Sequence, residues 1–292
     1  MAVVDTAFLR PRRRRRTDAP VVAALFCAVL VAWAIAAPLL MPFDPNAPNF
    51  ESVLRPPFWE EDGSRAHLLG TDQLGRDILS RIMLGAQVSL LTAFVATVCA
   101  GTFGIALGIV GGYAGGLIDM ALMRLVDTFL ALPFILMALA LVAALGAGLG
   151  NIIVVIALTN WARYARLVRS EVLSVKSRPF VDLAKVSGLS ETAIVLRHIL
   201  PNVLNSVLVL AVLDIARTII LESSLSFLGL GVQPPDVSWG LMLADGRNYM
   251  LVAWWLTALP GAFIALAVLS FNAVGEWAKR HFDPRGSVET AI

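Results

Sequence analysis

Charged and chemically reactive side chains are scarce in this chain of 292 residues, of which 15% are charged and 58% are hydrophobic. It contains only three histidines and two cysteines. His67, His198 and His281 are scattered along the sequence, while Cys27 and Cys99 both lie in apolar runs. These residues have neither the spacing of a metal site nor that of a redox pair. The sequence therefore predicts no metal site and no catalytic centre.

A phosphate-binding loop is also missing. The pattern G-x-x-x-x-G-K-[ST], whose backbone amides and lysine hold nucleotide phosphates, occurs nowhere in the sequence. We therefore expect the chain to bind no ATP by this route and to carry no cofactor of its own. If ATP drives its activity, ATP and Mg²⁺ are bound by another polypeptide.

Long apolar runs dominate the sequence. Several exceed the ~20 residues that a helix needs to cross the ~30 Å hydrocarbon core of a bilayer. We predict an all-α membrane protein with six transmembrane helices, near residues 20–42, 88–112, 125–146, 151–170, 203–223 and 251–275. The first run is long and is not followed by a small-residue cleavage pattern, so we interpret it as a retained anchor, not a signal peptide.

The distribution of charge predicts the orientation of the chain in the membrane. Residues 1–19 include an unbroken run from Arg12 to Arg16, and the polar insert that follows the fourth run is also basic. Residues 43–80 instead carry seven acidic residues against three arginines. Because cytoplasmic loops are enriched in Lys and Arg, we expect both termini and the insert in the cytoplasm and the long first loop outside.

The basic tail has a second interpretation, because such tails also bind nucleic acid or anionic lipid. Directly before an apolar span, a topology signal explains it better, and we expect no nucleic-acid partner. The chain then divides into a basic cytoplasmic tail, a first transmembrane helix, an extracytoplasmic loop, a core transmembrane domain and a cytoplasmic C-terminal tail. Their ranges are 1–19, 20–42, 43–86, 87–276 and 277–292.

The loop 43–86 contains a candidate interfacial helix. Leu74, Ile78 and Ile82 would share one helical face with Leu79 and Met83, while polar side chains take another face. This pattern predicts a helix lying flat on the outer leaflet. The alternative is an ordinary lead-in to the second span.

Glycines and prolines in the spans predict packing and kinks. The second span has glycines four residues apart, so they form one stripe on a helix, and another backbone can approach them closely. These are Gly104, Gly108, Gly112 and Gly116. We predict a packing role for the stripe over a role in substrate binding. Pro133 and Pro260 lie inside the third and sixth spans, where each predicts a kink.

Ionisable residues inside spans are costly and suggest function. Asp214 and Arg217 are three residues apart in the fifth span, where they can pair on one helical face or lie beside a translocation path. Glu222 is placed at the outer end of the same span, and Asp127 lies in the third. We take Asp214, Arg217 and Glu222 as the candidate path residues.

The polar insert from Arg178 to Asn202 is predicted to form helices with an apolar face. A glycine costs about 1 kcal/mol in a helix interior, so Gly188 predicts two short helices at an angle. The apolar face consists of Phe180, Leu183, Val186, Leu189, Ile194, Leu196 and Ile199. We interpret the insert as a docking element; the alternative is an amphipathic loop without a partner.

This insert resembles the EAA loop of ATP-binding cassette (ABC) importer permeases, which reads EAA, three residues, Gly, nine residues and I-x-L-P. Asp182-Leu183-Ala184 stands in the place of EAA, followed by Gly188 and Leu200-Pro201, with His198 at the isoleucine position. The resemblance implies a loop that couples to an ATPase, in which Ala184 and Gly188 are small because the insert nests in the ATPase. The implied coupling residues are Arg178, Phe180, Asp182, Ala184, Lys185, Gly188, Leu200 and Pro201.

Two further stretches resemble the second (C-type) permease of dipeptide and oligopeptide importers: LGTDQLGRDILSR at 69–81 and LESSLSFLGLGVQPP at 221–235. The resemblance implies the type I ABC importer permease fold in a bacterial inner or plasma membrane. It also implies four kinds of partner: the lipid bilayer, a homologous permease, two ATP-binding subunits and an extracytoplasmic solute-binding protein.

The resemblance implies peptides as the cargo, although relatives in the same family move nickel or glutathione. Two other classes of protein stay open from the residues alone. One is an ion-driven secondary transporter, which usually shows internal repeats; we find no persuasive repeat between the halves of this chain. The other is a membrane scaffold that transports nothing.

Overall fold

The computed structural model describes residues 20–282, so the predicted basic tail and residues 283–292 lie outside the described residues. Within that range the chain is helical and contains no strand. The helices are α1 Val21–Leu40, α2 Ile78–Ala114, α3 Gly116–Ala131, α4 Phe134–Leu145, α5 Leu149–Lys176, α6 Pro179–Val186, α7 Glu191–Ile194, α8 Leu200–Phe227, α9 Trp239–Gly246 and α10 Trp255–Phe282. A π-helical turn, Val195–Ile199, joins α7 to α8.

Four helices of the described range are long and apolar enough to cross a membrane: Val21–Leu40, Ile78–Ala114, Glu191–Phe227 and Trp255–His281. Helices α3 and α4 meet the same criteria together, but they are bent by 93°. Helix α5 has 28 residues and lies at the predicted fourth span, but arginines make it more polar than the others. The six predicted spans thus correspond to four apolar helices, one bent pair and α5.

The predicted interfacial helix is wrong. Residues 71–77 form a loop whose ends, Thr71 and Asp77, are joined by a β-bridge, and Ile78 already begins α2, ten residues before the predicted start of the second span. The Asp77 carboxylate caps this helix by accepting a hydrogen bond from the Ser80 amide at 2.8 Å. Ile78 and Ile82 are buried in the bundle, so the apolar face that suggested a surface helix packs inside the protein.

The two prolines have different effects. The chain breaks between α3 and α4 at Leu132-Pro133, which confirms the kink predicted for Pro133. Helix α10, by contrast, continues unbroken through Pro260. Pro260 is the sixth residue of α10, so its missing N–H removes one helical hydrogen bond, the one to the Leu256 carbonyl, and the helix continues beyond it.

The glycine stripe of α2 lies against α5, as predicted for three of its four members. A Cβ atom on Gly104 would lie 2.4 Å from the Tyr164 Cβ, and one on Gly108 would lie 2.7 Å from the Ala165 carbonyl oxygen. A Cβ on Gly112 would lie 2.9 Å from the Val172 Cβ and 3.1 Å from the Arg169 carbonyl oxygen, both on α5. Gly116 is the exception, because α2 ends at Ala114 and Gly116 begins α3.

The loop between α1 and α2 folds as a compact cover on the end of the bundle where α2 begins. The indole of Trp254 donates to the Glu60 carboxylate at 2.7 Å, and that of Trp255 donates to the Thr71 carbonyl at 3.1 Å. Arg81 forms an ion pair with Asp245 at 3.4 Å. Burial raises the pKa of the Asp245 carboxyl, although Arg81 lowers it in part.

The polar insert lies at the opposite end of the bundle. The Lys176 ammonium at the end of α5 donates to the carbonyl of Tyr113 at the end of α2, at 2.5 Å. Because α2 has 37 residues, its two ends are about 55 Å apart. The acidic loop and the insert are therefore separated by more than the thickness of a bilayer core.

We expect the α2–α5 contact to tolerate no side chain at Gly108. Replacing Gly108 by Ala places a methyl group against the Ala165 carbonyl and Val168, and overpacking of this kind costs about 1–3 kcal/mol. The control is Gly101→Ala, whose Cβ would lie 3.7 Å from the nearest atom. Thermal unfolding in detergent should show a lower midpoint for G108A than for G101A; equal midpoints would contradict the packing argument.

Candidate functional site

The insert forms two helices, one on each side of Gly188, as predicted. Helix α6 has Pro179 in its first turn and ends at Val186. Gly188 has φ +76°, which a residue with a Cβ rarely adopts, and this turn redirects the chain. The Ser190 hydroxyl then accepts a hydrogen bond from the Ala193 amide and caps α7.

The second helix of the insert is longer than predicted, because α7, the π turn and α8 form one continuous helix from Glu191 to Phe227. Leu200 and Pro201 are therefore its residues and not a boundary before the next span. A π turn accommodates the missing N–H of Pro201 without breaking the helix. The Asn202 side chain donates to the His198 carbonyl at 2.7 Å in this region.

One side of the insert is built into the core of the protein. Four of its residues are buried together with side chains of α5 and α8, and they are Val181, Ala184, Ile194 and Ile199. Their neighbours in this cluster include Val172 and Val175, at the end of α5. The insert is thereby fixed to both helices that enter and leave it.

The other side of the insert exposes apolar side chains. Leu183 is 66% exposed and Val186 is 87% exposed, although both are on an amphipathic helix whose opposite face is buried. Phe180, Leu189 and Leu196 are exposed as well. The residues of the predicted apolar face therefore divide into two groups. Ile194 and Ile199 point into the protein. The other five form the exposed apolar surface of the insert: Phe180, Leu183, Val186, Leu189 and Leu196.

Contacts and backbone geometry within this chain account for the small size of Ala184 and Gly188. Ala184 is 7% exposed and packs against the chain's own helices, so its small size serves the internal fit. A Cβ on Gly188 would meet nothing within 4 Å, so the positive φ, and not a close contact, requires glycine there. Within this chain, neither residue needs an ATPase groove to explain its size.

The polar members of the predicted coupling set remain on the surface. Asp182 and Lys185 form an exposed ion pair at 3.6 Å, three residues apart on α6. Arg178 precedes the helix and is also exposed. An exposed pair of this kind contributes little to stability, so all three side chains are available to a partner.

The predicted pairing of Asp214 with Arg217 is wrong. Asp214 accepts a hydrogen bond from Arg163 of α5 at 2.7 Å and is 2% exposed. Arg217 is exposed and lies over the ring of Phe134, with 5.0 Å from its guanidinium carbon to the ring centroid. The helical spacing placed Asp214 and Arg217 near each other, but the nearer cation comes from a different helix.

Glu222 is fully buried in a cage of serine hydroxyls. Ser226 donates to one carboxylate oxygen at 2.8 Å, and Ser89 of α2 donates to the other at 3.1 Å. The Ser89 hydroxyl also accepts a hydrogen bond from the Trp239 amide at 3.4 Å, which adds α9 to the group. The Glu222 carboxylate thus joins α2 to α8 and does not face an open surface.

Three arginines form a row on α5. Each of them pairs with an aspartate of a neighbouring helix: Arg163 with Asp214, Arg166 with Asp127, and Arg169 with Asp119. The i, i+3, i+6 spacing was a visible signal that one face of α5 is charged. Their partners lie on α3 and α8, so the pairs themselves could not be derived from local patterns.

The comparisons with known proteins agree with this geometry. Residues 104–288 match the family described as binding-protein-dependent transport system inner membrane component. The chain is 40% identical to a di/tripeptide transport system permease protein of Pseudomonas aeruginosa, over 89% of this chain and 86% of that protein. It is 39% identical to a glutathione transport system permease protein of Pectobacterium atrosepticum, over 94% and 89%.

A solved structure of the MetNI methionine ABC transporter in an inward-facing conformation has a similar fold. The TM-score is 0.57 at 17% sequence identity, and the match covers 70% of this chain and 97% of that one. The helical architecture is that of the type I ABC importer permeases. The chain therefore belongs to the family of inner membrane components of binding-protein-dependent transport systems, as a multi-pass permease.

Proposed function

We propose that this chain is one of two homologous permease subunits of an ATP-driven importer of short peptides in a bacterial inner membrane. Two ATP-binding subunits, which hold ATP and Mg²⁺, dock on the insert, and an extracytoplasmic solute-binding protein delivers the cargo to the opposite end of the bundle. The observation that carries the proposal is the exposed apolar surface of α6, on a segment fixed to α5 and α8.

The insert has what a coupling element needs. An isolated apolar patch on a flexible loop would move without moving the membrane helices. Here the buried residues of the insert pack on α5, and α7 continues directly into α8. A displacement of the insert by the ATP-binding subunits is therefore transmitted to two membrane helices, which changes the side of the membrane to which the path is open.

Peptides are the proposed cargo because a relative named for di/tripeptide transport is 40% identical to this chain over 89% of its length. Glutathione is the second candidate, supported by the relative named for its transport at 39%. Both are short peptides with charged ends, so both require a path with polar groups. Arg217 is an exposed cation at the level of the membrane helices and suits such a path, and the half-buried Arg163 lies near it in a pair with Asp214.

Docking on the insert is tested by placing charge on its exposed apolar surface. Val186→Glu should leave the fold intact, because Val186 is 87% exposed. It should lower ATP-dependent transport by at least about tenfold, because a carboxylate buried in an apolar interface costs several kcal/mol. The measurements are transport in proteoliposomes and co-purification of the ATP-binding subunits.

The matched control is Thr192→Glu, which adds the same charge at an exposed position of α7 outside the apolar surface. We expect near-normal transport and assembly for T192E. Full assembly and full transport by V186E would contradict docking at α6.

The proposed orientation is tested by thiol labelling in intact cells. In a chain whose Cys27 and Cys99 are replaced by serine, Ala66→Cys should react with an impermeant reagent, because Ala66 is exposed in the acidic loop. Ser177→Cys, exposed at the other end of the bundle, should react only after the cells are opened. The opposite pattern would reverse the orientation and place the insert away from the cytoplasmic ATP.

The cargo is tested by uptake. Deleting this chain should abolish ATP-dependent uptake of labelled di- and tripeptides, and restoring it should return that uptake. Glutathione and nickel uptake, measured in the same cells, distinguish the alternatives. If only one of these two is lost and peptide uptake is unchanged, the importer is of the same kind but its cargo is not general peptides.

A further inference from the structure

Arg217 is a cation without a carboxylate partner in a membrane-spanning helix. Among residues 20–282, no carboxylate oxygen lies within 4.0 Å of its guanidinium nitrogens. The helix ends at Phe227, ten residues further on, so Arg217 lies about 15 Å from that end of the helix. This distance is about half the thickness of a bilayer core.

The side chain of Arg217 is exposed on the surface of the bundle. A charged group at this depth does not face lipid, because the cost of its desolvation is high; such residues face a water-filled cavity or another protein. The face of the bundle that carries Arg217 is therefore a path or an interface.

The groups behind Arg217 fix the charge of this face. The neighbouring Asp214 is buried, and its Oδ1 accepts from Arg163 at 2.7 Å. One carboxylate thus stands beside two guanidinium groups, and Arg163 neutralises it. The pair is held rigidly, since Asp214 belongs to α8 and Arg163 to α5. One positive charge, that of Arg217, remains for a ligand.

Arg217 is also positioned for a planar anion. Its guanidinium lies over the Phe134 ring, at the start of α4 where the chain is bent by 93°. Contact with an aromatic face restricts the guanidinium plane and leaves its edge N–H groups free. Two parallel N–H donors match the two oxygens of a carboxylate.

We propose that Arg217 binds the C-terminal carboxylate of the peptide as it crosses the membrane, with the Arg163–Asp214 pair as its neutral, fixed neighbour. This rests on the proposed function, because a carboxylate at the end of the cargo supplies the anion. An acidic side chain of the partner permease would offer the same chemistry, and the experiment separates the two sources.

The test uses the complete importer in proteoliposomes and one tripeptide in two forms, with a free C-terminal carboxylate and with a C-terminal amide. The sequence of the tripeptide is chosen so that the solute-binding protein binds both forms. We expect the wild-type importer to carry the acid faster than the amide. R217Q should lower uptake of the acid by about tenfold, since a hydrogen bond to a charged group is lost, and leave uptake of the amide unchanged.

Two further variants serve as controls. R217K keeps the positive charge but not the two-pronged geometry, and should retain part of the preference for the acid. R166Q removes an exposed arginine that has its own partner, Asp127, and should leave the ratio of acid to amide uptake as in the wild type.

Several outcomes would overturn the proposal. An unchanged ratio of acid to amide uptake in R217Q would show that Arg217 does not read the carboxylate. Equal loss of uptake of the acid and of the amide would also show that Arg217 does not recognise the carboxylate. If R217Q in addition loses the partner permease on purification, Arg217 pairs with a carboxylate of that subunit. If the wild-type importer carries neither peptide, the proposed function itself fails and this proposal with it.

Discussion

The arrangement of this permease depends on the close contact between α2 and α5. In a membrane no hydrophobic drive brings helices together, so close backbone approach and polar contacts must do so. Gly104, Gly108 and Gly112 remove the side chains that would separate the two helices. Because α5 leads directly into the insert, the contact that fixes α5 on α2 also fixes the position of the exposed apolar surface of the insert.

Ion pairs and hydrogen bonds between helices stabilise the bundle in addition to the glycine contact. The arginines of α5 are tied to aspartates of α3 and α8, and the Glu222 carboxylate joins α8 to α2 through the hydroxyl of Ser89. Each link crosses between helices and satisfies groups that would be costly in lipid. The structure gives physical roles to the two stretches that resemble peptide-importer permeases, 69–81 and 221–235. In the first, Asp77 caps the start of α2. In the second, Ser226 donates to Glu222 and accepts a hydrogen bond from the Val232 amide.

Features with a local cause were predictable from the sequence, and features with a distant partner were not. Pro133 and Gly188 act on their own backbone, so the break and the turn followed from the residues alone. The partner of Asp214 depends on which helix packs beside α8, and Ala184 has its neighbours on α5 and α8. The surface helix predicted near Ile78 failed for the same reason, since amphipathicity does not say whether the apolar face meets lipid or protein.

The continuous helix from Glu191 to Phe227 has a mechanical consequence. It extends about 55 Å, from the insert past Arg217 to the Glu222 cage, with the π turn Val195–Ile199 as its irregular part. Such a rod is held at two levels, by the Arg163–Asp214 pair and by the serine cage around Glu222, so a displacement of its insert end moves most the part that lies before Asp214. Movement along it is therefore graded, largest at the insert and smallest beside Glu222, so residues between them travel by amounts set by their position on the rod.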